Sequence, residues 1–264
     1  MKTYLEVFGK LNRSAVIPFF VIGDPDFETS LAIVKAAIDA GADILELGIP
    51  FSDPIADGPT IQKADIRAAK AGMDVKKALE FIRQIRQDSD VPIGLLMYYN
   101  LLYQYGVQKF FEDFHRAGVN SVLAADVSID DSDEICRFAG PAGLDTVFMI
   151  TPNTPVEKMR LIASKTTGFI YAVSLLGVTG ARDNLSIEVS GLVRSIKQLT
   201  RVPVCVGFGI SSPQHAAAVA SAGADGVIIG SRVVKFIEDN LGDKKKMLSE
   251  IAKFIREVKA AVDS

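Results

Sequence analysis

One four-residue pattern constrains this chain more than any other. Ala40-Gly41-Ala42-Asp43, Ala117-Gly118-Val119-Asn120, Ala142-Gly143-Leu144-Asp145 and Ala222-Gly223-Ala224-Asp225 each follow an amphipathic stretch and precede a short apolar run. Glycine suits the left-handed residue that ends a helix, and the turn after it leads directly into a strand. A helix-to-strand joint used this often implies repeated βα units. Right-handed crossovers then give a parallel sheet covered by helices. The strand candidates are 15–22, 44–48, 93–97, 121–125, 146–150, 169–174, 204–207 and 226–229, rich in Val, Ile, Leu and Phe. Between them run helical stripes such as Leu31, Val34, Ala37 and Ile38, or Phe110, Phe111 and Phe114, or Leu192, Val193, Ile196 and Leu199. A last helix is expected over 245–262. Eight such units in 264 residues fit a closed (β/α)8 TIM barrel better than an open doubly wound sheet. With no Pro/Gly/Ser-rich linker, the expectation is one α/β domain over 1–264, with extra N-terminal and C-terminal helices.

Composition narrows the function. Lys and Arg total 29 against 32 Asp and Glu, a net charge of −3, which argues against nucleic-acid binding. The single basic run, Lys244-Lys245-Lys246, reads as a solvated helix face. No apolar run approaches the roughly 18 residues of a membrane span. The first residues carry charges where a secretory signal needs an apolar core, so a cytoplasmic location is expected. Cys136 and Cys205 share no metal-ligand spacing and read as packing residues. His115 and His215 sit in helical patterns, so no zinc site or histidine triad is expected. If the chain is an enzyme, carboxylates, a tyrosine or backbone groups must do the work.

The segment Ile44–Pro59 carries the most information. Strand alternation turns Leu45 and Leu47 toward the helices and Glu46 into the barrel, just below its carboxyl-end rim. A carboxylate there loses water, and burial pushes its pKa toward the range of a general acid–base. A salt bridge to a neighbouring strand is the competing reading, but the strand runs contain no Lys or Arg. Past Glu46 comes a loop stiffened by Pro50, Pro54 and Pro59. Barrel loops at this end carry active sites. Asp53 and Asp57 are both candidates there for a second carboxylate, and spacing alone does not separate catalysis from turn formation.

Two later strands run into Gly207-Phe208-Gly209-Ile210-Ser211 and Gly230-Ser231-Arg232. Glycines let backbone N–H groups approach an anion, and a helix starting at Ser231 aims its positive end there. Barrels often hold phosphate between these two loops. The stretch 175–182 is either a lid over the ligand or a plain surface loop.

Taken together, Leu45-Glu46-Leu47-Gly48-Ile49-Pro50-Phe51-Ser52-Asp53-Pro54 and Ile55-Ala56-Asp57-Gly58 resemble the signature of the tryptophan synthase alpha chain family. Pro18-Phe19, Gly23-Asp24-Pro25, Gly94-Leu95-Leu96-Met97-Tyr98, Leu123-Ala124-Ala125-Asp126 and Gly177-Val178-Thr179-Gly180 add to the match, which runs from about Tyr4 to the last helix. The resemblance implies retro-aldol cleavage of indole-3-glycerol phosphate to indole and glyceraldehyde 3-phosphate. It assigns Glu46 the acid–base role, and gives Asp57, rather than Asp53, the stabilisation of charge at the indole nitrogen. It places Phe19, Leu96 and Met149 around the indole with Tyr98 and Asp126 lining the same pocket, Tyr171 near the glycerol and Thr179 on the lid. It gives the phosphate to Gly180, Phe208, Gly209, Gly230 and Ser231. It implies no metal and no cofactor in this chain, a pyridoxal-phosphate beta chain as partner, and an αββα heterotetramer. Family members often carry Arg two residues before Gly-Val-Thr-Gly. Leu175 and Leu176 fill that stretch here, so the resemblance speaks to chemistry more than to loop closure. A stand-alone lyase, a silent regulatory subunit and another phosphate-binding barrel enzyme are the competing functions.

Overall fold

The computed structural model describes residues 1–173, 182–207 and 209–263, with the backbone alone over 182–188. All four Ala-Gly joints behave as their sequence predicts. Gly41, Gly118, Gly143 and Gly223 take φ of 100, 100, 83 and 90°, a region that L side chains rarely adopt. The polar residue two positions on then ties strands together at their amino ends. Asp43 accepts a hydrogen bond from Val16 N–H at 2.8 Å, Asn120 from Ile93 N–H at 2.9 Å, and Asp225 from Val204 N–H at 2.8 Å.

The strands are β1 (Ala15–Val21), β2 (Leu45–Gly48), β3 (Ile93–Met97), β4 (Ser121–Ala124), β5 (Asp145–Thr146), β6 (Phe148–Ile150), β7 (Ile170–Val173), β8 (Val204–Gly207) and β9 (Gly226–Ile229). Their spatial order is β5-β4-β3-β2-β1-β9-β8-β7-β6, and every pairing is parallel. The eight expected strands become nine because the fifth is divided. Asp145 and Thr146 pair with β4, whereas Phe148 to Ile150 pair with β7. The two edges of the sheet are thus consecutive in the chain, and Val147 joins them. The ring is completed along the backbone rather than by one more ladder.

Side-chain alternation separates two apolar cores. Leu45, Leu47, Leu95, Val122 and Val206 face outward and pack with the helices. Ala15, Ile17, Ile44, Leu123, Val147, Phe169, Cys205 and Ile228 fill the ring itself. The amino-end mouth is stoppered by the short helix Tyr4–Phe8, whose Tyr4 hydroxyl lies 2.7 Å from Ser121 Oγ and whose ring meets Phe169 edge-on. At the other end of the chain, the helix Lys244–Val262 packs along Phe27–Asp39 and Pro213–Ser221. With one mouth plugged and the ring filled, access to the ring itself is left to the opposite mouth. Among the described residues no helix is long and apolar enough to cross a membrane.

Candidate active site

Glu46 sits midway along β2, in register with Phe19 on β1 and Gly94 on β3. It is 4% exposed, as the alternation of Leu45, Glu46 and Leu47 predicts. Its Oε2 atom has no hydrogen-bond partner, and no cation among the described residues pairs with it. Burial first, and the charge of Asp57 second, push its pKa from the ordinary 4.5 up to about 8. Burial thus favours the protonated form of this side chain.

Asp57 reaches the same space from the loop that follows β2. Several contacts fix that loop. Asp57 N–H donates to Pro54 O at 3.1 Å, and Gln62 Nε2 donates to Asp57 O at 2.8 Å. The Tyr98 hydroxyl donates to Asp57 Oδ2 at 2.7 Å and accepts from Ala56 N–H at 3.0 Å. Phe51 stacks on the Tyr98 ring with centroids 4.9 Å apart. Burial raises the Asp57 pKa, and the Tyr98 bond works against that rise. Burial and the neighbouring carboxylate hold the Tyr98 hydroxyl well above its ordinary value, so it stays a donor. The two loop aspartates differ in placement. Asp57 lines the cavity, whereas exposed Asp53 accepts a bond from Ser52 beside it.

The cavity measures about 330 Å³. Phe19, Leu96, Ile61 and Tyr171 form its apolar wall near the two carboxylates, and Gly209, Ser211, Gly230, Ser231 and Arg232 line the rest. Gly207 makes room for this wall, since a Cβ there would lie 2.3 Å from the Tyr171 hydroxyl oxygen. Gly209 has φ of 78°, and His215 Nδ1 braces its turn at 3.3 Å from both Gly209 O and Ser211 Oγ. The helix Ser231–Asp239 begins directly after β9 and turns its N-terminus to the cavity.

Other predicted residues fall elsewhere. Met149 lines a neighbouring cavity of about 130 Å³ with Leu123 and Phe148. Asp126 accepts from Tyr99 N–H at 2.8 Å, at the start of the helix Tyr99–Tyr105 and one residue from Tyr98. Thr179, Gly180, Phe208 and the Leu175-Leu176 stretch lie outside the described residues. Sequence reasoning missed Asp65, a buried carboxylate on the helix Pro59–Lys70 whose Oδ2 has no partner and whose pKa burial pushes up to about 7. Its signal was present, because Ile61, Ala64, Asp65 and Ala68 share one helical face. Arg232 was also passed over.

A parallel barrel with a buried carboxyl group at its carboxyl-end mouth, a second carboxylate on the same cavity and glycine-rich strand ends beside them has the architecture of the acid–base enzymes of the (β/α)-barrel class. Comparison with known proteins narrows this further. The family model described as tryptophan synthase alpha chain matches residues 6–263. The chain is 44% identical to the tryptophan synthase alpha chain of Methanothermobacter thermautotrophicus, over 98% of this chain and 96% of that one. It is 42% identical to that of Salmonella typhimurium, over 99% of each. The tryptophan synthase subunit alpha of Legionella pneumophila superposes with a TM-score of 0.92 at 31% identity, covering 100% of this chain and 99% of that one. A chain from the tryptophan synthase a2b2 complex of Pyrococcus furiosus superposes at 0.86 with 38% identity, covering 93% and 98%. The chain belongs to the tryptophan synthase alpha chain family, the lyase component of that synthase.

Proposed function

We propose that this chain cleaves indole-3-glycerol phosphate to indole and glyceraldehyde 3-phosphate. The observation that carries this reading is buried Glu46, its Oε2 without a partner, facing the same cavity as Asp57. Cleavage of the bond between the ring and the glycerol leaves an electron pair on the ring carbon. Glu46 first hands its proton to that carbon. Positive charge then develops at the ring nitrogen, where the fixed Asp57 carboxylate holds the N–H and stabilises it. The Glu46 carboxylate next takes the proton from the glycerol hydroxyl. As the aldehyde forms, the carbon–carbon bond breaks and its electrons return to the ring. Glu46 ends the cycle with the proton it began with. Each transfer contributes on the order of a hundred- to ten-thousandfold in rate.

Phe19, Leu96 and Met149 flank the indole in this reading, with Tyr98 orienting Asp57 and Asp126 lining the same end. Tyr171 lies by the glycerol and Thr179 closes over it. Gly180, Phe208, Gly209, Gly230 and Ser231 hold the phosphate. The chain acts as one domain over 1–264 in the cytoplasm and needs no metal or cofactor of its own. The indole passes to a beta chain that uses pyridoxal phosphate, within an αββα assembly; the a2b2 complex of Pyrococcus furiosus supports such an assembly. The test is indole release from indole-3-glycerol phosphate with purified beta chain added or omitted. Turnover that rises sharply with the beta chain is expected. Full turnover alone identifies a stand-alone lyase, and none in either case a silent regulatory subunit.

A further inference from the structure

Arg232 occupies the second position of the helix Ser231–Asp239 and lines the cavity next to Gly230 and Ser231. It is the only Lys or Arg among the cavity's described lining residues, which otherwise carry the two carboxylates Glu46 and Asp57. Its Nε–H is buried and has no acceptor among the described residues. No carboxylate forms an ion pair with it there, although nearby Lys63, Arg67 and Lys235 all have acidic partners. Phe236, one turn further along, supports the guanidinium with its ring, 4.3 Å from the centroid. Stacking of this kind engages the face of the guanidinium and leaves its in-plane N–H donors free.

A buried donor without an acceptor is costly, and the cost is recovered when a ligand supplies one. Glycine loops and a helix start offer only neutral N–H groups and a partial dipole to an anion. A guanidinium adds full charge and a forked donor pair that matches phosphate oxygens. We infer that Arg232 is a phosphate-binding side chain of this site, held ready on Phe236, and that it sets the enzyme's preference for a phosphorylated dianionic substrate. This rests on the proposed lyase reading.

The experiment compares wild type, Arg232→Ala and Arg232→Lys in the lyase assay with the beta chain present. It also measures inhibition by inorganic phosphate and binding of indole, which has no phosphate. A charge-assisted bond lost from the anion raises KM and the inhibition constant for phosphate about tenfold in Arg232→Ala. Turnover at saturation and indole binding stay within about twofold, because the reacting carboxylates are untouched. Arg232→Lys retains the charge without the fork and falls between the two. Unchanged KM and phosphate inhibition in Arg232→Ala overturn the inference. So does a loss that extends equally to indole in both variants, which indicates a packing role. A wild-type protein that releases no indole would instead count against the lyase reading, and phosphate binding measured on the same variants still decides the role of Arg232.

Discussion

The two ends of the barrel treat the same kind of side chain in opposite ways. At the amino end, Asp43 bonds Val16 N–H and makes a two-pronged pair with Arg13 at 2.7 and 2.9 Å, and Arg13 also meets Asp263. Asp225 bonds Val204 N–H and pairs with Lys197 at 2.8 Å. A cavity of about 710 Å³ opens at this end, and Arg13 and Lys197 of its lining are paired with Asp43 and Asp225. At the carboxyl end, Glu46 and Asp65 are buried and Asp57 is half-buried, with no cation paired to any of them among the described residues. Asp24 is the exception there, matched by Arg67 at 2.6 and 2.8 Å. One end spends its carboxylates on holding strands in register. The other leaves them raised in pKa and open to a substrate.

This contrast is sharpest at Glu46. Replacing Glu46 with Gln is expected to lower indole release by about a hundred- to ten-thousandfold without loss of thermal stability, read by melting temperature. Stability also acquires a pH signature. Folded Glu46 keeps its proton up to about 8, whereas the unfolded chain releases it near 4.5. Between those values the folded state binds more protons, so stability falls as pH rises through the window. Denaturant titrations at pH 5 and pH 8 are expected to show that fall in wild type and a flatter response in the Gln variant. Asp57→Asn comes next, with turnover down about a hundredfold and inorganic phosphate still bound. Parallel loss of both would move Asp57 from chemistry to binding or folding.

The amino end is expected to respond in the reverse sense. Asp43→Asn breaks a largely buried pair, and Arg13 keeps Asp263, so a stability loss of about 2 kcal/mol is expected. Turnover per folded molecule should hold, which kinetics on the same preparation will check. Gly223→Ala has open space for its Cβ and φ of 90°, which isolates the backbone cost at about 1 kcal/mol. A melt of that variant showing no loss would remove the conformational reason for the recurring joint.

The sequence and the structure part company in informative places. The joints, the strand positions and the inward turn of Glu46 were legible because each follows from local rules, namely helix ends, hydrophobic period and alternation. The division at Val147 was not, since it depends on which partners Asp145 and Ile150 find across the sheet. The placement of Asp57 rather than Asp53 on the cavity is likewise non-local, with Tyr98, 41 residues away in the chain, reaching back to Asp57. Asp65 was passed over for its residue type, as a carboxylate on a helix usually faces water, although its spacing with Ile61, Ala64 and Ala68 marks the buried face. Arg232 was hidden because Phe236 and the empty Nε environment are properties of the packed helix.

The most direct test follows the Glu46 proton itself. Carbon-13 labelling of glutamate side chains, with Glu46→Gln used to assign the signal, gives the ionisation midpoint of this one carboxyl by NMR titration. A midpoint near 8 in the free protein is the predicted result. A midpoint near the ordinary 4.5 would mean the group is solvated or paired, and would contradict a dry acid at the centre of the barrel.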